Sequence, residues 1–284
     1  METLSISGAS LHYAERGAGD PIVFVHGSAG DMRTWGGQLA FFASRYRAIA
    51  YSRRYHWPNA PIAEGGDYTL RQHIEDLEAV LRALDAAPAH LVGHSYGGVI
   101  CLMLAARSPD LVRSIVLAEP PVLGMLVGVP PNPIELLRLA IKSPRTAAGI
   151  FKLGAFGLGP ATAASRRGDM EAVLRLTGTA ILGEEAFRAL SPERLQQVKD
   201  NLIREELLSP GFMPRLPVDA VRSVRAPALL VGASRSPNVF ACLLDELSEV
   251  LPHTRRASIP FSSHIMHEDN TPAYNQAVLS FLEQ

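Results

Sequence analysis

The sequence predicts an α/β protein: a mostly parallel sheet flanked by helices, with a helical insertion late in the chain. Three observations carry this. Short, wholly apolar runs rich in β-branched residues (Ile22 to Val25, Ala89 to Val92, Ser114 to Ala118, Pro227 to Val231) suit strands covered on both faces. Segments with helical spacing of apolar residues separate several of these runs, the alternation that builds a parallel sheet. From Pro121 to Val224 the alternation stops and prolines punctuate a Leu-, Ala-, Arg- and Glu-rich stretch, which reads as short helices joined by loops.

In order, Thr3 to Ala14 alternates apolar and polar residues around Gly8-Ala9-Ser10, as a half-buried hairpin does. Arg16 to Pro21 breaks it. The run Ile22 to Val25 ends at His26-Gly27-Ser28-Ala29-Gly30. Trp35 to Ser44 has helical spacing, and Tyr46 to Tyr51 reads as a strand that closes at Ser52-Arg53-Arg54-Tyr55-His56-Trp57. Asp67 to Leu84 is the clearest amphipathic helix, with Thr69 as its cap and Leu70, Ile74, Leu77, Val80, Leu81 and Leu84 on one face. Ala89 to Val92 leads through a glycine-rich turn into a helix from Val99 to Arg107. Ser114 to Ala118 ends at Glu119-Pro120-Pro121. After the insertion come Pro227 to Val231, a helix from Asn238 to Val250, a short strand near Arg256 to Ile259, and a closing helix from Ala273 to Leu282. The implied division is a core of residues 1–122 and 223–284 with a helical cap, or lid, at 123–222. In such sheets the loops after the strands carry the chemistry, and an insertion there covers them.

Composition narrows the partners. With 284 residues and 47% hydrophobic content the chain can bury a large core, and 27 Lys plus Arg against 28 Asp plus Glu leave a formal charge of -1. That balance argues against a field recruiting nucleic acid or an anionic membrane and favours a neutral or uncharged-group small-molecule substrate. Cys101 and Cys242 form neither a disulfide framework nor a metal-ligand pattern, so both read as core residues and no metal or cofactor is expected. No secretory signal or membrane-length apolar run is visible, so a cytoplasmic, soluble protein is the expectation. Oligomeric state is not legible.

The chemistry centres on Gly93-His94-Ser95-Tyr96-Gly97-Gly98, set between strand and helix. G-x-S-x-G there reads as a nucleophile elbow, in which glycines make room for a serine in a strained turn. Ser95 is the candidate nucleophile. A serine hydroxyl is weak at neutral pH, so acyl transfer needs a base, a group that orients the base, and N–H donors for the oxyanion. For the base, His264 in Pro260-Phe261-Ser262-Ser263-His264 follows the last strand and precedes the final helix; His267 is its competitor.

With these motifs, His26-Gly27, and Asn270-Thr271-Pro272 before the closing helix, the chain resembles the α/β-hydrolase superfamily from about Leu4 to the C-terminus, most of 122–224 excepted. The resemblance implies an oxyanion hole formed by the backbone N–H groups of Ser28 and Tyr96. It also exposes a departure. The common pattern places an Asp soon after the strand matching Ala228 to Val231, but Gly232-Ala233-Ser234-Arg235-Ser236-Pro237 holds no carboxylate, and Asp245 falls inside a helix. Some branches, among them certain haloalkane dehalogenases and zearalenone-type lactonases, take the acid from the end of the preceding strand, the sixth. Glu119 stands there, and as the third triad member it makes the chain similar to a serine esterase or lactonase branch of that kind; the alternative for Glu119 is a surface or helix-capping role.

The function this implies is hydrolysis of a carboxylic ester or lactone through an acyl-enzyme on Ser95. A C–C bond hydrolase acting on a diketone, cofactor-free perhydrolysis and a non-catalytic ligand receptor of the same fold are the alternatives. His26, Arg54, Tyr55 and Trp57 are expected to line the pocket, or else Arg is held in a structural ion pair with the aromatics packed against the lid. His94, His73 and Asp76 read as structural. Met125, Leu126, Phe151, Leu153, Phe156 and Leu158 make the insertion apolar, pointing to a bulky hydrophobic substrate such as a macrolide-like lactone, though any lid needs such residues to pack.

Overall fold

The computed structural model describes residues 1–284. Eight strands, β1 (Glu2–Ile6), β2 (Ala9–Arg16), β3 (Pro21–Val25), β4 (Arg47–Tyr51), β5 (Ala89–His94), β6 (Val112–Ala118), β7 (Ala228–Ala233) and β8 (Thr254–Ile259), form one sheet in the order β1-β2-β4-β3-β5-β6-β7-β8. The hairpin β1–β2 lies at one edge and β2 pairs antiparallel with β4; every other pairing is parallel. The hairpin turns at Gly8, where φ is +73°, a conformation a glycine adopts without a Cβ clash.

The apolar runs are buried on both faces because successive side chains point to opposite sides of the sheet. Val23, Val25, Ile49, Leu91, Ile115 and Leu230 join the larger core, while Ile22, Phe24, Ala48, Val92, Val116 and Leu229 join the smaller one on the other face. The helix Leu70–Ala83 is capped by Thr69, whose side chain accepts from Gln72 N–H. Buried Leu70, Ile74, Leu77, Val80 and Leu81 fix its inner face. Observed elements exceed several sequence-based limits in ways that matter. The helix after Ser95 begins at Tyr96, and β7 continues to Ala233, whose N–H is used in the site. A 3-10 turn, Met32–Trp35, precedes the helix expected from Trp35.

Between β6 and β7 the chain forms short helices from Leu123 to Arg222. Three begin at Pro133, Pro144 and Pro192, where the missing N–H costs nothing because first-turn N–H groups have no intrahelical acceptor. No helix is long and apolar enough to cross a membrane.

Sheet order positions the site. The chain moves outward from β3 to β4 on one side and from β5 through β8 on the other, so β3 and β5 are neighbours whose connections leave in opposite directions. A crevice opens at the carboxyl ends of strands at such a reversal.

Arg54 and Asp76 form a buried bidentate pair, Nε to Oδ2 at 2.8 Å and Nη2 to Oδ1 at 2.6 Å. The same guanidinium donates to the carbonyls of Ser7 and Gly8, tying the hairpin turn to the helix. Because removing one partner strands a buried charge, Asp76→Ala should cost about 3–5 kcal/mol in urea unfolding; a loss below about 1 kcal/mol would show the pair to be solvated instead.

Candidate active site

The elbow is strained where the sequence suggests. Ser95 has φ +51° and ψ −122°, and its N–H donates to Ala118 O of the next strand. The turn is pressed so hard against β3 that a Cβ on Gly97 would stand 2.2 Å from Val25 O. The loop after β3 comes as close: a Cβ on Gly27 would meet Ser95 Cβ at 2.9 Å. Ser28 follows, and its N–H makes no backbone hydrogen bond. Tyr96 opens a helix, so its N–H belongs to the turn that lacks intrahelical acceptors.

His264 and Glu119 meet in the interior. His264 Nδ1 is 2.7 Å from Glu119 Oε2, with the two side chains 2% and 1% exposed. Glu119 also accepts from Ala233 N–H at 2.8 Å and from the Ser236 hydroxyl at 2.7 Å. The segment that carries no carboxylate thus supplies two donors that hold one. Phe240 stacks on the His264 ring at 4.1 Å between centroids, and His94 Nε2 lies 2.8 Å from His264 O. His264 Nε2 is buried without a partner, in a ring that lines the same cavity as Ser95. His267 stacks on Trp35 and lies against His94, and neither ring nitrogen makes a hydrogen bond. Asp245 is exposed on its helix and pairs with Arg256.

Burial pushes the Glu119 carboxyl up to about 8, against the pull of Ser236 and Ala233, and holds the His264 imidazole down to about 3. Both shifts come from lost hydration, which disfavours the charged form of each group.

The cavity holds about 130 Å³. Its floor is His26 to Gly30, His94, Ser95 and His264, and its walls come mainly from the insertion, including Leu174, Ile181, Leu190 and Phe212. His26 is there as expected, but committed: Nε2 accepts from Arg53 N–H at 2.8 Å and Nδ1 contacts Gly27 O at 2.8 Å. Arg54, Tyr55 and Trp57 are not in the cavity. Arg54 turns away to Asp76, Tyr55 packs beside Tyr68, and Trp57 lies under the Arg33 guanidinium at 3.7 Å. Of the apolar insertion residues singled out, only Leu158 lines it; Phe151 and Phe156 are exposed and Met125 is in the core.

Sequence reasoning missed Arg194 and Glu206, and it offered Arg53 only as a pocket cation or a structural ion-pair residue, neither of which it is. Fully buried Arg53 donates Nε to His26 O and Nη2 to Gly27 O, each at 3.1 Å, bracing the loop that carries Ser28. Arg194 pairs bidentately with Glu268 at 2.7 and 3.0 Å and also lines the cavity. No motif marks these positions; they emerge only from packing.

A family model for the alpha/beta hydrolase fold matches residues 20–156. That match spans just under half of the chain and marks its fold as the α/β-hydrolase fold. Hydrolase YraK of Bacillus subtilis, itself uncharacterized, is 33% identical over 126 residues, which is 44% of this chain but only 46% of that protein. A provisionally named non-heme bromoperoxidase, BpoC of Mycobacterium tuberculosis, is 29% identical over 277 residues, covering 96% of this chain and 97% of its own. The crystal structure of an enol-lactonase from Burkholderia xenovorans shares the fold with a TM-score of 0.76 at 20% identity, over 100% of both chains.

If His264 acts as a base oriented by an ionised Glu119, kcat/KM should rise with pH as the carboxyl loses its proton, on a limb that burial of Glu119 moves upward. Since Ser236 lowers the Glu119 value, Ser236→Ala should move that limb to higher pH. A limb unmoved by the substitution would contradict the assignment.

Proposed function

We propose that the chain is a serine hydrolase of carboxylic esters or lactones. The observation that carries this is the buried 2.7 Å contact between Glu119 Oε2 and His264 Nδ1, with Nε2 of that ring unpartnered in the cavity that also exposes Ser95. In this reading Ser95 Oγ attacks the substrate carbonyl while His264 Nε2 takes its proton. Negative charge gathers on the carbonyl oxygen, where the N–H groups of Ser28 and Tyr96 meet it. Collapse expels the alcohol, which takes the proton from His264, and leaves an acyl-enzyme. Water, deprotonated by His264, then releases the acid. Glu119 keeps the ring hydrogen on Nδ1 and stabilises the transient imidazolium. The helices of 123–222 serve as the cap, shielding the carbonyl so that two N–H dipoles are not competing with solvent.

The relatives support hydrolysis at a coarse level: the B. subtilis protein is named a hydrolase, and chains of this fold include an enol-lactonase. Size refines the substrate. A cavity of about 130 Å³ is comparable to the ~150 Å³ engineered cavity that holds one benzene, so a compact acyl group fits as the helices stand. A macrolide-like lactone would enter only with those helices separated.

A fluorophosphonate probe should label Ser95, and Ser95→Ala should abolish both labelling and turnover of short p-nitrophenyl esters. Glu119→Gln should fold normally and lose about 10²–10⁴-fold in kcat, the scale seen when a histidine's orienting carboxylate is neutralised. Undiminished ester turnover in Ser95→Ala, or near wild-type turnover in Glu119→Gln, would remove this reading.

A further inference from the structure

Buried polar atoms in proteins are nearly all hydrogen-bonded, so those that are not tend to mark a site that awaits a partner. Of the ten buried side-chain atoms without one, five belong to residues lining the cavity over Ser95. His264 Nε2 is accounted for by the proposed proton transfer, and His267 Nε2 lies 3.6 Å from Glu268 Oε1, in a ring packed against Trp35 and His94. Arg194 Nη1 and Glu206 Oε1 remain. Arg194 has its charge matched by Glu268. Glu206 has no such match.

Glu206 stands on the short segment Arg204–Leu208 of the insertion, 6% exposed, and its side chain lines the cavity. The plainest structural role would be as counter-ion to Arg53, the nearest buried cation acting on it. Arg53, however, spends its donors elsewhere: Nε and Nη2 on the carbonyls of His26 and Gly27, and Nη1 toward Tyr68 and His73. No ion pair joins the two residues. Two groups lower the Glu206 carboxyl, the Arg53 charge and, after it, the hydroxyl of Ser28, the residue whose N–H is proposed to meet the oxyanion. Neither gives Oε1 a hydrogen bond, and that oxygen stays unpartnered in a residue that lines the same cavity as Ser28 and Ser95.

We propose that Glu206 is a substrate-positioning residue that hydrogen-bonds a hydroxyl on the acyl part of the substrate, so that the enzyme prefers compact hydroxy-substituted esters or hydroxy-lactones over plain alkyl esters. This rests on the esterase or lactonase reading above. The wall beside it is apolar, with Ile203, Leu207, Phe212 and Met213, so a plain alkyl chain there leaves Oε1 unpaired. An unpaired buried acceptor costs more than a formed bond gains, which makes selection against the plain chain the stronger effect. Burial raises the carboxyl above its ordinary value, while Arg53 and Ser28 lower it. A hydroxyl both donates and accepts, and so it fits Glu206 whether the carboxyl is ionised or protonated.

The test separates binding from turnover. On Ser95→Ala protein, ligand-observed NMR would compare butyramide with 2-, 3- and 4-hydroxybutyramide, which need no hydrolysis to be read. At least one hydroxy-amide should bind about tenfold tighter than butyramide, the scale of one hydrogen bond that relieves a buried acceptor. Adding Glu206→Leu should erase that preference while leaving butyramide within about threefold, and Glu206→Gln, which can still donate and accept, should keep most of it. The same ordering is expected in kcat/KM for p-nitrophenyl butyrate and its hydroxy analogues with Ser95 intact. Equal affinity for all four amides, or an equal loss for all of them in Glu206→Leu, would overturn the proposal and leave Glu206 as a prop for the Ser28 loop. If the amides are discriminated but no ester is turned over and Ser95 resists the fluorophosphonate, the hydrolase reading fails while the binding role of Glu206 stands.

Discussion

Glu119 accepts three hydrogen bonds at a position 1% exposed to solvent, and the geometry of the site hangs on them. A lone carboxylate in that interior would be costly, because burial strips its hydration. The cost is offset by donors from three places: Ala233 N–H at the end of β7, the Ser236 hydroxyl in the following turn, and His264 Nδ1 from the loop after β8. Those contacts bind the ends of β6, β7 and β8 together through one side chain. They also explain why the acid is tolerated at the end of β6. The β6–β7 pairing places Ala118 opposite Val231, so the residue after Ala118 comes within reach of the turn after β7, where an Asp is sought in the sequence and none stands. Backbone and hydroxyl donors in that turn now face a carboxylate from next door, with donor and acceptor exchanged between neighbouring strands.

A second buried charge organises the opposite side. Arg53 is held by the carbonyls of His26 and Gly27 and by contacts to Tyr68 and His73, and its own N–H bonds the His26 ring. With those two carbonyls directed to the guanidinium, the loop is fixed in a conformation that leaves the Ser28 N–H unbonded. A lysine at this position would supply one point of charge and no planar fork, and could not meet two carbonyls and a phenol from one rigid group. The proposed oxyanion donor is thus prepared from behind, by a residue that does not touch the cavity.

Much of this was legible in the sequence, and the boundary between legible and hidden is physical. Ser95 could be read because its strained turn requires glycines at fixed spacing. His264 and Glu119 followed because strand ends in a parallel sheet line up, so chain order translates into position. Arg53 and Arg54 mark where that translation stops. They are adjacent on one loop, yet one turns under the Ser28 loop and the other to Asp76; the sequence shows two arginines and no direction. The insertion was hidden for a related reason. Its apolar residues were plain, but helical spacing does not reveal which face meets the cavity, and Phe151 and Phe156 face solvent while Leu174 and Ile181 form the wall. Glu206 lay beyond any pattern, since a glutamate in a charged helical segment normally signifies a solvated face.

The walls of the cavity are attached in two different ways, and this bears on what can enter it. The helix Pro192–Asp200 is tied to both sides of the core. Asp31, just beyond the Ser28 loop, accepts from Gln197 at 3.1 Å and Asn201 at 2.7 Å, and Arg194 grips Glu268 beyond His264. Directional bonds to two separate loops fix this wall in register with the proposed oxyanion donors and base. The helix Met170–Leu182, which supplies Val173, Leu174, Thr177 and Ile181, makes no side-chain hydrogen bond or ion pair with the core; its Thr177 hydroxyl bonds its own helix. Apolar contact is nearly indifferent to a small slide, whereas a buried charged pair is not. Under the hydrolase reading proposed above, the helix held by apolar contact alone would set cavity size and the firmly held one, with Glu206, the polar recognition, so the acyl chain could vary in length while its polar groups kept one position relative to Ser95.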